Sequence, residues 1–165
     1  MKNLGMESAS REIRFCQKTI FFLLLLFGIS AVCFGGDLKP FTTDGCSSFP
    51  DGTPDNRALW VNCCIRHDLS YWKGGTSQER LDADLALQNC VKAVGETEVA
   101  RLMLAGVRAG GSPYFPTPYR WGYGWPYARG YRTLSTDELV QVQQRLQDLE
   151  LLLRGVIKEL AGEKK

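Results

Sequence analysis

From Ser135 onward, apolar residues return at intervals of three and four: Leu139, Val142, Leu146, Leu149, Leu153, Val156 and Leu160 form one stripe over three heptads. That period belongs to an α-helix with one apolar side. Ser135 followed by Glu138 fits a capping box and marks its start, so residues 134–161 predict an amphipathic C-terminal helix. Val140, Leu152 and Ile157 widen the stripe beyond a narrow coiled-coil seam. This favours packing on the rest of the chain; a homodimer through the same helix is the alternative use of such a face.

Two further helices are legible upstream. TTDGCSSFPDGTPDN, residues 42–56, is too rich in Gly, Pro, Asp and Ser for a regular element and predicts a shaped loop. Asp55 or Asn56 then caps a helix over about residues 57–72, which stops at Gly74-Gly75. Thr76 with Glu79 fits a second capping box, opening a helix to about Ala93 on which Leu81, Leu85 and Val91 can pack. So short a turn makes the two helices antiparallel. The predicted order is therefore loop, two helices, irregular loop, helix: an all-α chain.

The N-terminus has a different character. Arg11, Arg14 and Lys18 precede TIFFLLLLFGISAVCF, an uncharged run that suits a signal peptide better than a bilayer span of about 20 residues. Ala31 and Cys33, or Cys33 and Gly35, are the small residues of a cleavage site. Residues 1–33 are thus expected to be a signal peptide, with an uncleaved membrane anchor as the alternative. The product would be secreted or periplasmic.

Charge adds little. The 165 residues carry 20 Lys and Arg against 18 Asp and Glu; the N-terminal segment holds four of the former and two of the latter, so the remainder balances at sixteen of each sign. No nucleic-acid partner is indicated. Between Val99 and Thr136, however, there is no acidic residue, and SPYFPTPYRWGYGWPYARGY interleaves arginine with Tyr, Trp and Phe. Residues 111–133 therefore read either as an interfacial segment for a phospholipid surface or as a Pro-fixed loop whose rings cover the helices.

Cysteines agree with export. With Cys16 and Cys33 in the leader, Cys46, Cys63, Cys64 and Cys90 remain as an even set. Adjacent Cys63 and Cys64 diverge too far to bridge one another, so one reaches Cys46 and the other Cys90. A zinc site of Cys64, His67 and Asp68 is the competing use of the cluster.

NCCIRHDLSYW, residues 62–72, contains the only histidine. In a helix Cys64, His67, Asp68 and Tyr71 share a face, and Asp82 or Asp84 on the next helix can reach back to the imidazole. A histidine oriented by one carboxylate and adjacent to another has the makings of a general base beside a hard-cation site.

Read together, TDGCSSFPDGTP, NCCIRHDLSYW and RLDADLALQNC resemble the secreted phospholipases A2, most closely their bacterial and fungal branch. The resemblance covers residues 42–91 and implies a phospholipase A2-like domain over 37–110, a calcium-dependent hydrolase of the phospholipid sn-2 ester. It implies His67 as the general base, Asp84 as its orienting partner and Tyr71 as the tyrosine bonded to that carboxylate. Asp84 stands six residues before Cys90, as in the animal enzymes; Asp82 is its rival because it follows Arg80-Leu81, as in the microbial branch. Asp68, Asp44 and the Gly45 carbonyl match the calcium ligands, and the implied disulfides are Cys46–Cys64 and Cys63–Cys90. Ser70 and Ala83 replace two cysteines that bridge the helices in animal enzymes, and the glycine-rich calcium loop of those enzymes is missing. Two other classes stay open: an idle lipid- or protein-binding domain of this type, and a membrane-anchored interaction protein.

Overall fold

A computed structural model describes residues 36–162, so the expected signal peptide or anchor over 1–33 lies outside the described residues. Among the described residues four helices are formed: α1 Val61–Lys73, α2 Ser77–Ala93, α3 Thr97–Gly110 and α4 Thr136–Leu160. Two disulfides complete a small all-α architecture with no strand among the described residues. None of these helices is long and apolar enough to cross a membrane.

α1 begins four residues later than the sequence suggests. Asn56 does not cap it; its side chain accepts from the Ala58 amide at 3.3 Å inside a run of turns, and the helix starts only after Trp60. Trp60 is what pins that point. It is buried, its indole N–H donates to the Pro50 carbonyl at 2.6 Å, and its amide donates to Asp51 at 3.1 Å.

Gly74, at φ 69°, ends α1, and Thr76 and Glu79 form the full capping box that opens α2. Three cross-contacts fix the direction of the pair: Tyr71 with Arg80, His67 with Asp84 and Cys63 with Cys90. As one number falls the other rises, so α1 and α2 are antiparallel. The buried side of α2 is Arg80, Asp84, Leu87 and Val91, a strict 3-4 series, whereas Leu85 is exposed. Once Asp84 turns inward, the 100° step of the helix carries Leu85 out.

α3 corrects the expected order. Residues 97–110 lack a side-chain cap, and Gly106 and Gly110 dilute the apolar period, so nothing local announces a helix. Packing creates it. Ala100 and Met103 close on Leu87, Val91, Trp60, Cys63 and Cys64 to form one core.

Residues 111–133 cover the helices with only part of their rings. Trp121 and Trp125 are fully buried, while Tyr114, Phe115 and Tyr127 are exposed. The buried part solves a particular problem, because the last carbonyls of a helix have no partner within it. Gly122 N–H reaches the Tyr71 carbonyl at 2.6 Å, Gly124 N–H reaches Trp72 at 3.2 Å and the Trp125 indole reaches Lys73 at 2.8 Å. The loop is the C-terminal cap of α1. Its approach is close: a Cβ on Gly74 would lie 2.9 Å from the Gly122 Cα.

α4 starts at Ser135 with its capping box, as its sequence requires. Its first half packs, with Val142 against Leu38, Trp72 and Trp125. The expectation that the whole stripe packs on the domain fails beyond that point: every residue from Glu150 to Leu160 is exposed. The stripe outruns the body it lies on, since the body supplies only the Leu38, Trp72 and Trp125 cluster as a partner.

Glu138 anchors this helix. It accepts two bonds from Arg129, at 2.6 and 3.0 Å, and one from Arg132 at 2.6 Å, while the Arg129 guanidinium stacks 4.4 Å from the Trp125 ring. Hydrogen bonds from Arg129 hold its carboxyl down, from 4.5 to about 2. A depressed carboxylate stabilises the fold above its unfolded value and stops doing so as pH falls through its folded value. Glu138→Gln should lower stability by about 1–3 kcal/mol at neutral pH, measured by urea unfolding. The difference from the parent should shrink between pH 4.5 and about 2. A pH-independent difference would assign the loss to packing instead of charge.

Candidate active site

The site is built on the facing sides of α1 and α2. His67 and Asp84 are both buried, and the His67 Nε2 lies 2.8 Å from Asp84 Oδ1. Tyr71, one turn after His67, donates its hydroxyl to the same oxygen at 2.8 Å, and the two rings lie 4.2 Å apart. Burial drives the Tyr71 phenol upward, helped by the Asp84 charge, so it stays a donor. Asp82, the rival partner, is on the exposed side of α2 and accepts from Gln78 at 2.9 Å.

Asp84 is completely buried. Burial alone would raise its carboxyl, but hydrogen bonds from His67, Arg108 and Tyr71 outweigh that and hold it below the usual carboxylate range. It is thus a fixed negative charge against imidazole Nε2, which makes Nε2 the protonated nitrogen of the neutral ring. Nδ1 has no protein partner among the described residues, and His67 lines a cleft of about 480 Å³. A ring held in this way can take a proton from water at Nδ1.

Beside it, Asp68 is half-buried and has no ion-pair partner among the described residues. Burial pushes its carboxyl up to about 6 against the opposing bond from Thr43 and the influence of His67, and Asp44 raises it further. Thr43 donates to Asp68 Oδ2 at 2.7 Å, Gly45 N–H donates to Thr43 at 3.1 Å, and Asp44 accepts from Ser47 at 3.0 Å. The structure therefore brings Asp44, Gly45 and Asp68 into one neighbourhood. An uncompensated carboxylate beside a second one, with the Thr43 and Ser47 hydroxyls bonded to them, suits a hard cation. No three His, Cys, Asp or Glu side chains converge on one point among the described residues, so such an ion would draw its other ligands from backbone and water. The zinc alternative is corrected: Cys64 is bonded to Cys46 and has no thiolate to offer.

The disulfides hold these pieces in register. Cys46–Cys64 ties the 42–47 loop to α1, and Cys63–Cys90 ties α1 to α2, the connectivity the resemblance implied. Each closes a loop of a size that stabilises by about 2–4 kcal/mol.

Two residues at the site were not foreseen. Arg80 is buried and donates to Tyr71 at 3.0 Å and to the Val107 and Arg108 carbonyls at 2.8 and 2.9 Å; Arg108, on α3, donates to Asp84 Oδ2 at 2.7 Å. The four-residue spacing of Arg80 and Asp84 was a usable signal for the first. Nothing local pointed to the second, because α3 itself was not expected.

No protein-family model, no curated protein and no solved structure matches the chain.

Tyr71→Phe removes a donor to Asp84 and leaves buried Arg80 Nε without its acceptor. Urea unfolding with disulfides intact should show a loss of about 1–3 kcal/mol, while Asp82→Asn stays within about 0.5 kcal/mol. Equal losses for the two variants would contradict this network.

Proposed function

We propose that the protein is a calcium-dependent hydrolase of phospholipase A2 type that cleaves the sn-2 ester of phospholipids. The observation that carries this reading is the buried His67–Asp84 pair, which leaves Nδ1 free at the cleft beside Asp68. In the reaction, His67 Nδ1 accepts a proton from water as its oxygen adds to the ester carbonyl. Asp84 keeps Nε2 as the donor nitrogen and stabilises the imidazolium that results. The imidazolium then returns its proton to the departing glycerol oxygen, which frees the fatty acid and the lysophospholipid. Asp68, with Asp44 and the Gly45 carbonyl, would hold calcium, whose charge would stabilise the oxyanion.

The cleft suits such a substrate. Leu87, Met103 and Val107 give it an apolar wall for an acyl chain, and Leu102 and Tyr119 both line it and stay exposed, 62% and 44%, as an apolar rim toward a phospholipid surface. Paired disulfides suit an oxidising compartment, in keeping with an exported protein. A second reading, a lipid-binding domain without turnover, is favoured because, among the described residues, no three His, Cys, Asp or Glu side chains come together beside His67 to hold a cation.

Three variants separate the roles, measured as fatty-acid release from phospholipid vesicles at saturating calcium. His67→Asn should fold normally and lose about two to four orders of magnitude in rate, because no other histidine can replace it. Asp68→Asn should lose activity through weakened calcium binding, and Asp84→Asn should cost less than His67→Asn. Full activity in His67→Asn would end the enzymatic reading.

A further inference from the structure

Asp84 is clamped at both ends. Oδ1 receives His67 Nε2 and the Tyr71 hydroxyl, each at 2.8 Å, and Oδ2 receives Arg108 Nη1 at 2.7 Å. A carboxylate bonded through one oxygen alone can turn about its Cβ–Cγ bond; one bonded through both cannot. Arg80 is the only other cation near Oδ2 among the described residues, and its Nε stands off at 3.8 Å, beyond hydrogen-bond length. Its donors are already committed: Nε to Tyr71, Nη1 to Tyr131 at 2.6 Å, and Nη2 to the Val107 and Arg108 carbonyls. Arg80 thus ties the end of α3 to α2 and delivers the Arg108 side chain to the carboxylate.

We propose that Arg108 is a positioning residue for His67: by holding Asp84 Oδ2 it fixes the carboxylate plane, so that Oδ1 stays on Nε2 and the imidazole keeps Nδ1 toward the cleft. Arg108 is not among the residues that line the cleft, and its side chain donates to Asp84, so its effect on turnover runs through that carboxylate. The inference rests on the function proposed above for its kinetic consequence, but not for the orientation of the ring. An arginine is well suited to the task, since its planar fork sets direction as well as charge, whereas lysine supplies only the charge.

The single histidine makes the test clean, because one imidazole gives one set of ring resonances. In the parent, proton NMR of the whole protein should show an Nε2–H resonance in slow exchange with water. Arg108→Gln should fold, as Arg108 is 40% exposed and Arg80 still caps α3, but it should lose that resonance to exchange. Its kcat should fall about 10-fold with KM unchanged, and Arg108→Lys should recover part of both signals. A parental Nε2–H resonance in Arg108→Gln would overturn the proposal whatever happens to the rate, since Asp84 would be fixed without Arg108. Loss of the resonance without loss of kcat would also overturn it, because the orientation would not matter to turnover. If the parent hydrolyses no phospholipid, the resonance still decides whether Arg108 positions the ring, and only the catalytic reading falls.

Discussion

A carboxylate removed entirely from water is tolerable only when donors surround it, and Asp84 is such a group. Its needs organise the protein. Donors arrive from α1 through His67 and Tyr71 and from α3 through Arg108, while Arg80 on its own helix stands close by and bonds to Tyr71 and to the end of α3. Three helices are thus held in one register, because any slip would strand a buried charge. The same bonds orient the imidazole. Fold and candidate chemistry are therefore one network, and the apolar core of Leu87, Val91, Ala100 and Met103 lies along the same helices.

Around this centre, the aromatic loop does work that hydrophobicity alone would not suggest. Its buried tryptophans combine apolar surface with indole N–H groups directed at carbonyls of the α1 end and the turn after it: Trp125 reaches Lys73 at 2.8 Å and Trp121 reaches Gly75 at 2.9 Å. Its glycines let backbone meet backbone at the end of α1. The loop also carries Arg129, which secures Glu138 and so the start of α4. Beyond Leu149 that helix is exposed throughout its described residues, and its apolar residues face outward.

What could be read from the chain depended on whether a signal was local. Thr76 with Glu79 and Ser135 with Glu138 mark helix starts because a capping box is complete within four residues. His67, Asp68 and Tyr71 were visible because helical spacing puts them on one face, and Asp84 because its interval to Cys90 matched a known pattern. Where the deciding partner was distant, reading failed. α3 forms because α2 offers it a surface, Arg108 is drawn inward by a charge 24 residues away, and Leu85 is turned out by the burial of its neighbour. Asn56 misled for the opposite reason: it is a good cap, but a nearer turn uses it.

The function proposed for this buried network is calcium-dependent ester hydrolysis. The most direct measurement uses a phospholipid with different acyl chains at sn-1 and sn-2, incubated with the purified protein in calcium and again after chelation, with the released fatty acid identified by mass. Release of the sn-2 chain alone, abolished by the chelator and restored by added calcium, is the predicted result. Release of the sn-1 chain, release that persists after chelation, or no release at all would contradict it.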